Sequence, residues 1–196
     1  MGDRNHGEWL DDLGWYRGRD EIDFDRVTDR IYTGGGIWSV RDVDRLVAVG
    51  ITHVVCAAEE LEELSVRLAG ARLAVLPNGT DDDGLPKSPS WFGRIVSFAL
   101  DALRDPGAKV YLHCAAGINR GPSAAYVVLR ALGHSPEEAF GLIRAARSQA
   151  GIIYADSADD AIEALGMAPY AADSRSRPRA REAGRTHRWK AQGANG

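Results

Sequence analysis

The chain has 196 residues, 44% hydrophobic and 27% charged, enough for one domain with its own core. Two cysteines, Cys56 and Cys114, cannot build a disulfide framework, and nothing around them has zinc-finger spacing, so a reduced, cytoplasmic setting is expected. Net charge is −4, but from position 171 onward seven Arg or Lys face two Asp or Glu, which puts +5 on the tail and −9 on the rest and argues against nucleic-acid binding by the body.

Met1–Asp20 is polar, with Trp9 and Trp15 as its largest apolar groups, and lacks the basic-then-apolar order of a signal peptide. It reads as an N-terminal arm (1–20), ahead of a domain over 21–170 and a basic, disordered tail over 171–196. The tail is suited to acidic partners. No apolar run reaches the length of a membrane span.

Within the body, strand-like and helix-like segments alternate. Arg30–Thr33 reads as a strand closed by Gly34-Gly35-Gly36. Val40–Val49 has apolar residues at helical spacing and ends at Gly50. Thr52–Cys56 is a β-branched strand, Glu59–Leu68 a charged helix with Leu61, Leu64, Val66 and Leu68 inward, and Arg72–Leu76 a strand broken by Pro77. Asn78–Ser88 is turn chemistry. Ser88 or Ser90 caps a helix reaching Arg104, with Trp91, Ile95, Phe98, Ala99, Ala102 and Leu103 inward. Lys109–His113 is a strand, Pro122–Leu132 an apolar helix stopped by Gly133, Ser135–Arg147 a helix opened by Pro136, and Ser157–Leu165 the last helix. Alternation of this kind predicts one α/β domain with a mostly parallel sheet of four to five strands flanked by helices, binding its ligand beyond the carboxyl ends of the strands.

The chemistry is concentrated in Val110–Ser123, VYLHCAAGINRGPS. A short loop between a strand end and a helix start turns backbone N–H groups toward an anion. Ala115, Ala116 and Gly117 let the backbone approach closely, Ile118 and Asn119 complete the loop, and Arg120 can fork onto phosphate oxygens. The same donors favour thiolate at Cys114, so one loop supplies a nucleophile and a phosphate cradle. No Gly-Lys-Ser/Thr follows, which excludes a Walker-type phosphate loop.

His-Cys, five residues, then Arg resembles the signature of the cysteine-dependent protein tyrosine phosphatase superfamily, and Gly117 makes it similar to the dual-specificity branch. RIYTGG, GITHVV (Gly50–Val55) and GHSPEEAFGLIRAAR (Gly133–Arg147) extend the resemblance over about 22–165. Asp82–Pro86 looks like the acid loop of the kinase-associated and regenerating-liver phosphatases. The resemblance implies a phosphoprotein phosphatase hydrolysing phosphotyrosine, with phosphoserine and phosphothreonine as further candidate substrates, and with no metal or organic cofactor. It implies Cys114 as the residue that becomes phosphocysteine, Arg120 as phosphate binder, and His113 as organiser of the loop. The general acid falls to Asp83 first and Asp82 second, with Asp81 the third of the run.

Two departures stand out. The superfamily places Ser or Thr after the arginine, where its hydroxyl stabilises the departing cysteine; here Gly121 has none. Either Ser123 substitutes, or breakdown of the phosphocysteine limits turnover, and the second is expected. Cys56 is placed like a cysteine that pairs with the nucleophile on oxidation in the regenerating-liver group; a core cysteine filling its strand is the equal alternative. Trp38 and Trp91 are candidates to flank the cleft or to pack. Two rival functions remain open: a phosphate-binding module without turnover, and a thiol redox or arsenate-reducing protein using both cysteines.

Overall fold

The computed structural model describes residues 22–166. The arm (1–20) and the tail (171–196) lie outside the described residues, as do the ends of the expected 21–170 domain.

Five strands form one sheet in the order β1-β2-β5-β3-β4: β1 Phe24–Arg26, β2 Ile31–Gly34, β3 His53–Ala58, β4 Ala74–Thr80 and β5 Val110–His113. Only β1 runs antiparallel, against β2. Among the described residues six α-helices cover it: α1 Val40–Ala48, α2 Glu62–Ala69, α3 Pro89–Leu103, α4 Arg120–Ala131, α5 Pro136–Ala146 and α6 Ala155–Ala164. The expected α/β fold with a mostly parallel sheet is therefore what the chain adopts. No helix among the described residues is long and apolar enough to cross a membrane.

The central strands separate two cores by simple alternation, because successive side chains on a strand point to opposite faces. Val55, Ala57, Val110 and Leu112 face a core shared with α3, α4, α5 and α6, whereas Val54 and Tyr111 face a second one under α1 with Ile37, Val43, Leu46, Ile51 and Leu73. Helix α4 is almost wholly buried, since α3, α5, α6 and the sheet all pack on it; its run of Ala and Val supplies small apolar faces on every side.

Helix ends follow the sequence signals. Ser39 and Ser135 make reciprocal capping boxes with Asp42 and Glu138, and Ser88, not Ser90, caps α3. Losing such a cap costs about 1 kcal/mol. Gly50 and Gly133 take positive φ where α1 and α4 stop.

Several boundaries differ from expectation. Pro77 does not break β4: β4 is an edge strand, where a residue without N–H is tolerated, and Pro77 pairs with Cys56 in register, so that Asn78–Thr80 is also strand. Glu59–Leu61 is a 3₁₀ turn ahead of α2, and Val66 lies on its exposed side, as Val40 does on α1. Phe92 is buried beside Trp91 in the α3 face. Helix α4 starts at Arg120, two residues before Pro122, and α6 at Ala155. Strand β1 has only three residues and no alternation to announce it.

Candidate active site

Strand β5 lies between β2 and β3, and His113 is level with both Gly34 and Cys56. Cys114 is the next residue. It therefore leaves the sheet at the carboxyl ends of three parallel strands, where doubly wound sheets bind ligands.

From Cys114 to Ile118 each backbone carbonyl is held by a donor. His113 Nδ1 lies 3.1 Å from Cys114 O, Gly36 N–H donates to Ala115 O (3.0 Å), Arg147 donates to Ala116 O (3.2 Å) and Gly117 O (2.6 Å), and Gly151 N–H donates to Ile118 O (2.8 Å). In a trans peptide the N–H points opposite to the carbonyl. Five carbonyls turned to protein donors thus turn the N–H groups of Ala115, Ala116, Gly117, Ile118 and Asn119 the other way, toward the cysteine; Gly117 N–H already donates to Cys114 Sγ (3.3 Å). The five loop positions expected to bind phosphate lie in one arc that Arg120 follows directly. Gly117 has φ +67°, and a Cβ there would come within 2.5 Å of Gly34 and 2.6 Å of Arg147, so only glycine fits.

His113 is fully buried and stacked on Tyr111. Burial pushes its pKa down to about 4, with Arg120 adding to the fall. The ring is therefore neutral. A carbonyl can only accept, so Nδ1 carries the proton toward Cys114 O, and Nε2 accepts from Ser65 Oγ at 3.3 Å. That tautomer ties the ring to the first carbonyl of the loop on one side and to Ser65 on the other.

Arg120 opens α4 with its side chain buried. Its two terminal nitrogens donate to both carboxylate oxygens of Glu60 (2.8 and 2.7 Å), and one also donates to Thr80 O (2.9 Å). Burial would raise the Glu60 pKa, but the Arg120 hydrogen bonds outweigh it and hold the carboxyl below its usual range. The Nε of Arg120 is buried without a hydrogen-bond partner, 3.5 Å from Asp82 Oδ2. An unsatisfied cationic N–H in a site is a ready oxyanion donor.

The three aspartates part company in the fold. Asp82 comes to the site: its Oδ1 accepts from Tyr154 OH (2.9 Å), and its Oδ2 lies by Asn119 Nδ2 (3.4 Å) and Arg120 Nε. Asp83 is exposed, accepts from Leu85 N–H (3.0 Å) in a tight turn and pairs with Lys87 (2.5 Å), which holds its carboxyl below the ordinary range. Asp81 is exposed. Tyr154 OH also accepts from Gly84 N–H (3.1 Å); burial, against Gly84 and helped by Asp82, pushes its pKa up to about 12, so it stays a donor to Asp82.

Ser123 is buried, and its Oγ accepts from Tyr154 N–H (3.3 Å), tying α4 to the segment that carries Tyr154. A Cβ at Gly121 would sit 3.0 Å from Cys114 N. Cys56 shares a small apolar cluster with Cys114, Ala58, Leu61 and Ala115, with Trp38 and Leu64 packed against it. Its Sγ–H donates to Ala58 O (3.3 Å), and burial pushes its pKa up to about 11 against the pull of Ser65. Both cysteines are free thiols. Trp91 is buried in the core, its Nε1 donating to Asn78 O (2.7 Å), so it packs and does not line the cleft. Among the described residues no group of His, Cys, Asp or Glu has the makings of a metal site.

Four contributors had no sequence signal of their own: Glu60, Thr80, Arg147 and Tyr154. Glu60 hid in a charged helical run, Thr80 acts through its carbonyl, and the stretch from Arg147 to Tyr154 read as a connection between helices. That stretch in fact straps the loop from outside at three points, and Ile152 within it takes φ +51°, a conformation β-branched residues rarely adopt.

No protein-family model matches the chain. Over 89 residues, 44% of this chain, it is 30% identical to the mouse dual specificity protein phosphatase 13B, and the match spans 45% of that relative. Among solved structures it resembles PTPMT1 in complex with PI(5)P (TM-score 0.61, 22% identity, 72% of this chain and 98% of that one). It also resembles a human tyrosine phosphatase-like serine/threonine/tyrosine-interacting protein (TM-score 0.60, 19% identity, 76% and 100% covered) and the active form of Tk-PTP (TM-score 0.58, 23% identity, 72% and 95% covered). These structural likenesses establish a common fold.

Proposed function

Since the chain has the fold of the cysteine-based tyrosine and dual-specificity phosphatases and carries their His-Cys and Arg signature, we propose that it is a phosphoprotein phosphatase working through a phosphocysteine at Cys114. The observation that carries this reading is the arc of inward N–H groups around Cys114 Sγ, completed by the unpartnered Nε of Arg120.

The steps follow from that arrangement. Cys114 sulfur attacks phosphorus while the loop N–H groups and Arg120 hold the three non-bridging oxygens, where charge resides during transfer. Asp82 is the group placed to protonate the leaving oxygen: it lies beside Arg120, and Tyr154 and Asn119 orient it. Asp83, the other candidate, is tied to Lys87 on the outside of its turn. In the second half Asp82 takes a proton from water, which attacks phosphorus and releases the Cys114 thiolate.

Ala115–Asn119 contains no Lys or Arg, and Ile118 is an exposed apolar side chain in the loop. That favours an aryl phosphate such as phosphotyrosine over a headgroup carrying further phosphates. A phosphate-binding module without turnover is the second reading, favoured by the absence of a hydroxyl at Gly121.

Turnover of para-nitrophenyl phosphate, with Cys114→Ser as control, tests the proposal. Hydrolysis that disappears in Cys114→Ser is expected. Tight phosphate binding without hydrolysis would favour the module, and turnover surviving the loss of Cys114 would dismiss both.

A further inference from the structure

Arg147 is the largest side chain among the fully buried ones, 1% exposed, yet it lies behind the loop and faces away from the substrate side. All its donors are used. Nε bonds Gly117 O (2.6 Å); one terminal nitrogen bonds Asp23 Oδ1 (2.9 Å) and Asp25 Oδ2 (2.8 Å); the other bonds Asp23 Oδ2 (2.6 Å) and Ala116 O (3.2 Å). A guanidinium has five N–H groups, and five acceptors surround this one.

Burying such a charge is costly, and a well-packed apolar group of similar volume often serves stability as well. The arrangement makes more sense as orientation. The two peptides whose carbonyls Arg147 grips are those that present the N–H groups of Gly117 and Ile118 toward Cys114, because each peptide is planar and trans. Asp23 and Asp25 fix the guanidinium in its plane and balance its charge, leaving Arg120 as the cation beside the substrate. Gly117 allows the approach, since a Cβ there would meet Arg147 at 2.6 Å. We propose that Arg147, clamped by Asp23 and Asp25, is a positioning residue that aims the N–H groups of Gly117 and Ile118 at the phosphate.

This deepens the phosphatase reading and rests on it. A lysine has its three donors at one point and cannot span two carbonyls and two carboxylates. The test uses the full chain with tungstate as an oxyanion probe, titrated by calorimetry into the parent, Arg147→Met, Arg147→Lys and Asp25→Asn, with para-nitrophenyl phosphate kinetics and thermal melts alongside. Tungstate affinity should fall at least tenfold in Arg147→Met, less in Arg147→Lys and about threefold in Asp25→Asn, with KM rising in the same order and by a larger factor than kcat falls. A purely structural role would lower the melting temperature and leave tungstate affinity and KM within twofold of the parent in whichever variants fold; that result overturns the proposal. If both Arg147 variants fail to fold, Asp25→Asn decides by the same twofold criterion. A parent that binds tungstate but hydrolyses nothing would remove the phosphatase reading and leave this comparison standing; a parent that binds no tungstate would remove the cradle itself.

Discussion

Glu60 meets Arg120 end-on, each carboxylate oxygen taking one terminal nitrogen of the guanidinium at 2.8 and 2.7 Å, while the N–H on Nε has no hydrogen-bond partner. Two residues sixty positions apart in the chain thereby fix the plane of the guanidinium and leave its Nε edge beside Asp82.

Glu60→Gln keeps the shape but loses the paired charge. KM for an aryl phosphate should rise about tenfold, the scale of one charge-assisted contact of ~1.4 kcal/mol. The same pair sets a pH dependence. Because the folded-state pKa of Glu60 is depressed, its stabilisation is complete above the ordinary glutamate value of 4.5 and is lost as pH falls through the lower folded value. Denaturant titrations at descending pH should show the parent losing more stability below that point than Glu60→Gln does.

Asp82 and Asp83 should separate in kinetics. Asp82→Asn is expected to lower kcat on phenyl phosphate by roughly 10²- to 10⁴-fold, as loss of a general acid does, and to do less harm with a better leaving group. Asp83→Asn, which cuts only the link to Lys87, should stay within about twofold. The reverse pattern would hand the acid role to Asp83.

Release of the phosphocysteine should be the slow step. Gly121, directly after the arginine, offers no hydroxyl to the departing sulfur. Rapid-quench measurements should find a burst of leaving group close to one per site, then a slow steady rate. Gly121→Ser should shrink the burst and speed the steady phase, provided the helix start yields a few tenths of an ångström where the new Cβ meets Cys114 N at 3.0 Å. Equal steady rates in the two proteins would place the slow step elsewhere.

Cys56 sits level with His113 on the adjacent strand, one residue short of the nucleophile. Peroxide would convert Cys114 to a sulfenic acid, and attack by Cys56 sulfur would expel water and leave a disulfide. Since its pKa is pushed up to about 11, the reactive thiolate fraction of Cys56 grows about tenfold per pH unit below that value. Mass spectrometry after brief peroxide treatment should find the Cys56–Cys114 bridge forming faster at pH 9 than at pH 7, a comparison on the order of the two decades that fraction spans. Cys114 sulfinic acid without any bridge at either pH would leave Cys56 a core residue.

The loop was legible because all of it, from His113 to Arg120, is contiguous and its small residues declare the close approach of backbone. Helix ends were legible for the same local reason, in Ser39, Ser88, Ser135, Gly50 and Gly133. What escaped is everything that tertiary structure delivers from afar. Glu60 is one of four glutamates within five positions, and only the placement of the 3₁₀ turn after β3 selects it. Asp82 is chemically the same as its neighbours, and only the turn at Gly84, at φ +74°, and the hydroxyl of Tyr154 distinguish it. Arg147 ended a helix that was correctly expected, but its partners Asp23 and Asp25 lie on and beside a three-residue strand that has no periodicity to reveal it.

The borders of the sheet have a consequence for life at high concentration. One border is β1, three residues long, and the other is β4, interrupted by a proline that has no N–H to offer. On β4 Pro77 has no amide to offer and Gly79 N–H is taken by Glu62, and both features work against a neighbouring molecule extending the sheet along that border.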